Sequence, residues 1–475
     1  MMSNLSLAFN AQGLKHLSSG AHSVAIDFFL AASTEDPSFP DPYTNLGVAC
    51  FMMKKFTEAA QWLRRSLSLR PDDPAALLNL GYSLWSVNDM AGAIIAFQHA
   101  IEVTDVSAAH IAYGAAQWEI GNEAIAIDHC RRGLMEEPDN VMALDTLREI
   151  YHYRGSKDDA FAACDTMIEL FPEQPNHVYK KAVVALTYGD ASGWSAFERC
   201  RYPHLELTKL VERDPIWFRV THGRLWDGRP TKHLLLTTEQ GYGDVIQFLR
   251  FVPLAAQRCE RLSLLVPETL RDLVRRSFQI PHMKIVPEFP DEFDHYVLVM
   301  SLPTVLGAYQ TIPSTPYLIA PPVTRQFDGL DGIKIGLAWE GSKSLPDDRW
   351  RSIPFAKIRR LLDVPAHFIL LQHPCADDLR GTSVITLPLR DWSTTASIIA
   401  ALDLVITVDT AVAHMAGALG KPVWLLNRYN TCWRWGLGTN THWYPSMRIF
   451  RQPKMADWDT VIEQVHAELY RVFSL

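Results

Sequence analysis

Cysteine is scarce and scattered in this chain. The seven thiols, Cys50, Cys130, Cys164, Cys200, Cys259, Cys375 and Cys432, stand no closer than 34 residues apart. That spacing excludes C-x-x-C zinc or redox pairs, and the odd count argues against a disulfide framework. They read as buried free thiols of a reducing compartment, which makes the cytoplasm the expected location. No run approaches the roughly 18 apolar residues that a membrane span needs. Met1 to Lys15 lacks a basic stretch leading into an apolar one, so no secretory leader is read there. Positive charge is not in excess either: 45 Lys and Arg stand against 53 Asp and Glu, a formal charge of −8. Wrapping a nucleic-acid backbone needs clustered cations, so nucleic acid is not an expected partner, whereas a local pocket for one phosphate group fits. Of the 475 residues, 48% are hydrophobic and 21% charged. This balance excludes wholesale disorder and, at roughly 150 residues per domain, allows about three units.

What is present in the first two hundred residues is a period. Pro37, Pro71, Pro138 and Pro172 are spaced by 34, 67 and 34 residues. Counted from them, Gly13, Gly47, Gly81 and Gly114 fill a small position in the first helix of each unit. Ala25, Ala59, Ala93, Ala126 and Ala160 fill one in the second. Gly20, Gly121 and Gly155 take the turn, Phe29 and Phe97 a large apolar position, and Ala32 and Ala100 lie just beyond. Asp105 replaces the proline of the third unit, and one residue is missing before the fourth. The pattern resembles the tetratricopeptide repeat, with five units over about 6–173 and a degenerate sixth, through Trp194 and Phe197, as a cap. Small residues let paired helices approach, and the aromatic fills the gap to the next pair. All of these residues read as packing. The array offers a groove for a protein partner, with self-association as the other reading.

From about residue 223 short apolar runs alternate with helical segments. His233–Thr238, Leu262–Val266 and His295–Met300 read as strands of one sheet. Ile333–Trp339, His367–Gln372, Val384–Leu387, Leu404–Val408 and Val423–Leu426 read as strands of a second. The alternation implies parallel sheets covered on both faces, and the proline-rich stretch Ile312–Val323 reads as the hinge between two halves. The expected domains are 1–205, 206–322 and 323–475. In open α/β sheets ligands bind beyond the carboxyl ends of the strands, so the loops there carry the chemistry.

After the first strand comes Glu239-Gln240-Gly241-Tyr242-Gly243-Asp244, whose glycines allow a tight turn and close approach to a ligand. Asp244 is either a general base or only a helix cap. After Leu404–Val408 comes Asp409-Thr410-Ala411-Val412-Ala413-His414. With Asp409 as the cap, the Thr410 and Ala411 amides and the Thr410 hydroxyl face an anion; a capped helix with a core histidine is the plainer alternative. Ser342, Lys343, Arg349 and Arg351 read as cations and a hydroxyl near a diphosphate, or as a solvated loop. Trp433, Arg434 and Trp435 suit a flat base or sugar face, or an aromatic cluster closing the sheet.

Taken in order, EQGYGDVIQFLR, RSIP, ITVDTAVAHMAGALGKPVW, WRW and WYP resemble heptosyltransferase-like glycosyltransferases of the GT-B fold. They are closer to bacterial proteins that fuse tetratricopeptide repeats to such a domain. The resemblance covers about 223–465 plus the repeats. It implies an α + α/β architecture, a repeat solenoid followed by two Rossmann-like domains, acceptor side first and nucleotide-sugar side second. It makes Asp244 the base. Arg351 stands where that family has a phosphate-binding lysine. Asp409, Thr410 and Ala411 form the phosphate-holding helix start, with alanine where glycine is usual, and His414 is a donor contact. Gln240, Gly241, Gly243, Trp339, Trp433, Arg434 and Trp435 are candidates for base or sugar contacts. No metal and no cofactor are implied; Asp457-Trp458-Asp459 reads as a helix start.

The resemblance further implies transfer, with inversion, from a nucleotide sugar to Ser or Thr of a protein gripped by the repeats. Flagellin is the acceptor it points to, with a CMP-activated nonulosonic acid as donor. A UDP-N-acetylhexosamine donor, a non-catalytic scaffold and a lipopolysaccharide sugar transferase are the alternatives.

Overall fold

A computed structural model describes residues 3–204, 224–322, 327, 329–343, 348–372 and 379–474. Cys375 and Val323 lie outside the described residues. The chain divides into two units, Met1–Pro172 and Glu173–Leu475.

Among the described residues, the first unit holds five helix pairs: α1 Asn4–Ser18 with α2 His22–Glu35, α3 Pro40–Met52 with α4 Phe56–Leu69, α5 Pro74–Ser86 with α6 Met90–Val103, α7 Ser107–Glu119 with α8 Glu123–Glu136, and α9 Val141–Arg154 with α10 Lys157–Leu170. A notch and a knob hold each of the first four pairs. A methyl built on Gly13, Gly47, Gly81 or Gly114 would run into Phe29, Leu63, Phe97 or Cys130, and each of those four side chains is fully buried. The helices touch because the glycine has nothing to interpose. Gly20, Gly121 and Gly155 turn the chain at φ 79°, 84° and 93°, and the two remaining turns use Lys54 (61°) and Asn88 (66°) in the same left-handed region. Pro37, Pro71, Pro138 and Pro172 each come directly after the C-cap residue of a second helix. Where Asp105 replaces proline, its carboxylate lies 2.6 Å from His110 Nε2, and His110 Nδ1 lies 2.8 Å from His129 Nδ1.

The second unit opens with α11 Pro175–Thr187 and α12 Gly193–His204, the pair read from sequence as a cap to the repeats. Trp194 and Phe197 of this pair are buried in the core of the unit that carries the sheets. Trp194 sets its edge on Trp433 (5.4 Å between centroids, 90°), Trp443 (6.2 Å) and Phe248 (6.5 Å). The boundary expected at 205 thus falls behind a pair that belongs to the second unit by packing, and the chain from 205 to 223 lies outside the described residues.

Two all-parallel sheets follow. The first has β1 Thr231–Thr237, β2 Cys259–Leu265, β3 Met283–Val286 and β4 His295–Leu298 in the order β3-β2-β1-β4. The second has β5 Lys334–Ala338, β6 His367–Leu370, β7 Val384–Ile385, β8 Leu404–Val408, β9 Val423–Asn427 and β10 Met447–Arg451 in the order β10-β9-β8-β5-β6-β7. The strands β3 and β10 escaped the sequence reading. Both are edge strands, and in β10 the exposed Arg448 breaks the apolar run between Met447 and Ile449. Strand β8, central in the second sheet, is buried along its whole length because both faces of that sheet are covered. One core runs through both sheets and the α11–α12 pair. A second lies on the other face of the second sheet, under α16 Trp458–Phe473. Asp457 caps that helix, accepting from the Thr460 amide at 3.2 Å. The proline-rich segment is anchored: the Tyr317 and Leu318 amides donate to the Ala418 carbonyl at 3.0 and 3.2 Å.

Candidate functional site

The site is built where β1 and β8 hand over to their helices. After β1 the chain enters α13 Tyr242–Phe248; after β8 it enters α15 Ala411–Ala418, with α14 Trp392–Ala400 before it. α13 and α15 pack directly on one another. Gly243 makes that approach close, since a Cβ there would lie 2.9 Å from His414 Cδ2 and 3.6 Å from the Ala411 Cα. The turn itself is made by another residue: Gln240 carries the left-handed φ of 65°, while Gly241 sits at −82° as the residue before α13. Backbone strain of this kind collects at functional loops.

A cleft of about 970 Å³ opens above these helices, with walls that include Gly241, Gly243, Asp244, Arg351, Asp409, Thr410, Ala411, His414 and Arg434. Asp244 comes from the first sheet's side and the 409–411 turn from the second's, so the two loops meet in one cavity. Asp244 is occupied: Arg434 Nη2 donates to its Oδ1. The same guanidinium donates from Nε to Gln247 Oε1 at 2.8 Å and from Nη1 to Cys432 Sγ at 3.2 Å, and stands 4.5 Å over the Trp433 ring. Burial works against the Arg434 charge, but the Asp244 carboxylate outweighs it with help from Cys432 and Asp409, so its proton is held more tightly than usual. Burial also pushes the Cys432 thiol up.

The anion-facing turn differs from expectation in one detail. Thr410, not Asp409, caps α15, its Oγ1 accepting from the Val412 amide at 3.3 Å. The Asp409 carbonyl instead accepts from Arg351 Nη1 at 3.1 Å, and Arg351 is braced by Asp348 Oδ1 at 3.1 and 3.3 Å. His414 is buried, stacked on Trp435 at 4.9 Å, with Nδ1 3.0 Å from the Tyr444 hydroxyl. Burial first, then Arg434 and Arg250, hold the imidazole well below its ordinary range, and burial holds the Tyr444 phenol well above its own. Both groups are therefore neutral, and they share one hydrogen bond at Nδ1, with Nε2 on the Gly243 side.

Three expected contacts are corrected. Trp339 is 1% exposed and stacks on Phe355 at 5.0 Å within the second core. Trp435 is 1% exposed and backs His414. Trp433 turns away from Arg434's cavity to line a separate one of about 580 Å³ with Trp194 and His442. Gln240 is exposed beside the cleft without forming its wall. Residues passed over as chemistry prove structural: Arg250, the last residue of EQGYGDVIQFLR, donates from Nη1 to the carbonyls of Trp443 (2.7 Å) and Pro313 (2.9 Å) and lies 4.6 Å from the Tyr444 ring centroid. The first and last motifs thus bind each other. Among the described residues, no group of three or more His, Cys, Asp or Glu is arranged to hold a metal ion, and no helix is long and apolar enough to cross a membrane.

The tetratricopeptide-repeat model matches residues 10–74 and 55–105. Protein FlbA of Caulobacter vibrioides (strain ATCC 19089 / CIP 103742 / CB 15) is 25% identical over 489 residues, covering 94% of this chain and 75% of FlbA. Among solved structures, PilW, a type IV pilus biogenesis factor, matches 41% of this chain and 90% of its own at 18% identity and a TM-score of 0.39. Pseudomonas aeruginosa pilF matches 44% and 98%, at 18% identity and 0.38. The chain thus carries tetratricopeptide repeats, followed by an α/β unit built on two parallel sheets.

Proposed function

We propose that the cleft is the site of an inverting, metal-independent glycosyl transfer from a nucleotide sugar to a Ser or Thr hydroxyl of a protein bound by the repeats. One observation carries the reading: Asp244 and the first turn of α15 line the same cavity. A nucleotide phosphate at that turn meets the Ala411 end of the helix dipole and the Arg351 guanidinium. Asp244 accepts the proton of the attacking hydroxyl as the new oxygen–carbon bond forms at the anomeric centre. The bond from that carbon to the phosphate oxygen breaks on the opposite face, and the electron pair leaves with the phosphate. The two-sheet body then serves as a GT-B catalytic domain, and the solenoid as the grip on the acceptor.

The sequence resemblance directs the substrate reading to flagellin and a CMP-activated nonulosonic acid, with a UDP-N-acetylhexosamine as the rival donor. A thermal-shift comparison of CMP, UDP, GDP and ADP tests it, because a ligand that binds only the native state raises the midpoint with its saturation. One of the four should raise the midpoint in the wild-type chain; no shift from any would remove the nucleotide site. The Arg434–Asp244 ion pair favours a second reading, a body that binds but does not turn over. Labelled-sugar transfer to acceptor protein separates the two, since the second reading requires none.

A further inference from the structure

The candidate base is held by a cation that lines the same cleft as the first turn of α15. We propose that Arg434 is a two-position clamp: it grips Asp244 in one position and the nucleotide phosphate in the other, so that phosphate binding releases the carboxylate for the acceptor's proton. The inference rests on the transfer reading above and adds to it the order of events, donor before base.

Arg434 lies just beyond β9, and Asp244 and Gln247 lie on α13, so the guanidinium bridges the two sheets' sides of the cavity. Its contacts differ in how easily they are given up. Gln247 is fully buried and receives Nε at 2.8 Å, a fixed pivot. The outer nitrogens go to a carboxylate that borders the cleft and to a sulfur at 3.2 Å, a weak acceptor. A phosphate offers the guanidinium fork a better-matched anion than either. Arg351 cannot play this part so freely, because it is braced by Asp348 and by the Asp409 carbonyl and touches no candidate base. Lys343 is two-thirds exposed and lies 3.6 Å from Glu340. Arg434 occupies Asp244 Oδ1, and a hydroxyl proton arriving at that oxygen would have to displace a buried cation. Exchange of partners removes that obstacle without moving either helix.

The prediction has an unusual sign. Losing Asp244 removes the anion that competes for Arg434, so Asp244→Asn should bind nucleotide more tightly. Calorimetric titration of the full chain with UDP and CMP, against uridine and cytidine, reads this. Relative to wild type, Asp244→Asn should tighten the nucleotide it binds by about tenfold and Arg434→Gln should weaken it by about tenfold, the size of one charge-assisted hydrogen bond. Nucleoside affinity should be the same in all three chains. Arg434→Lys, which keeps the buried charge, should retain phosphate-dependent binding even if the glutamine variant misfolds. Unchanged or weaker nucleotide binding by Asp244→Asn overturns the clamp and leaves the nucleotide site standing. Wild-type chain that binds neither UDP nor CMP, and neither GDP nor ADP, overturns both.

Discussion

Gly243 rests against the imidazole of His414, and the Tyr444 hydroxyl holds that imidazole in place from 3.0 Å. There is no room between them for a methyl group, which would sit 2.9 Å from Cδ2. Gly243→Ala is therefore expected to push α13 off α15 and cost about 1–3 kcal/mol, the usual range for overpacking. Gly241→Ala meets only Asp244 Oδ2 at 3.9 Å, from an ordinary φ of −82°, and should lie within about 0.5 kcal/mol of wild type. Urea denaturation of the two variants checks the contrast, and equal losses would contradict it.

In the solenoid the same logic acts on Gly81, which faces the fully buried ring of Phe97. Gly81→Ala should destabilise the first unit by about 1–3 kcal/mol despite the better helix propensity of alanine. Adding Phe97→Leu should return part of the loss, because the smaller knob frees the notch. Loss without any such coupling in a double-mutant cycle would place the damage elsewhere.

Acid should weaken the first unit through His129. Burial, then the neighbouring His110, holds the His129 imidazole below its ordinary range. The folded chain then binds fewer protons than the unfolded one, so stability rises with pH across that range. The contribution is complete above the ordinary histidine pKa of ~6.5 and is lost as the pH falls through the folded value. Thermal midpoints taken between about pH 7 and 5 should drop in the wild type and drop less in His129→Gln.

Truncation should respect the packing rather than the repeat pattern. A chain starting at Glu173 keeps Trp194 and Phe197 in the second core and is expected to fold and bind nucleotide while losing transfer to the acceptor protein. Removing α11 and α12 as well strips two buried aromatics from Phe248, Trp433 and Trp443. Loss of even one such side chain costs about 3–5 kcal/mol, so the shorter chain should fail to yield a cooperative melt.

The repeats were legible because their signal is local: glycine, alanine and proline recur at offsets that one helix pair dictates. The strand-end loops were legible too, since an aspartate and a threonine after apolar runs must stand at helix starts. What stayed hidden depends on facing and on distance. Trp339 closes a strand, and nothing in its neighbourhood says that it points under Phe355 rather than into the cleft. Thr410, not Asp409, stands immediately before α15, and the Asp409 carbonyl is held instead by Arg351, 58 residues away in sequence. The left-handed residue is Gln240, where the flanking glycines drew attention to themselves. Arg434 looked like a base contact beside two tryptophans, and its pairing with Asp244, 190 residues earlier, has no signature in either segment.

Labelled-sugar transfer by Asp244→Ala, beside wild type, bears most directly on the cleft as a catalytic centre. With an unchanged circular-dichroism spectrum and retained nucleotide binding, transfer should fall by about a hundredfold or more, the usual contribution of a positioned base. Transfer at the wild-type rate would contradict the account and take Asp244 out of the chemistry.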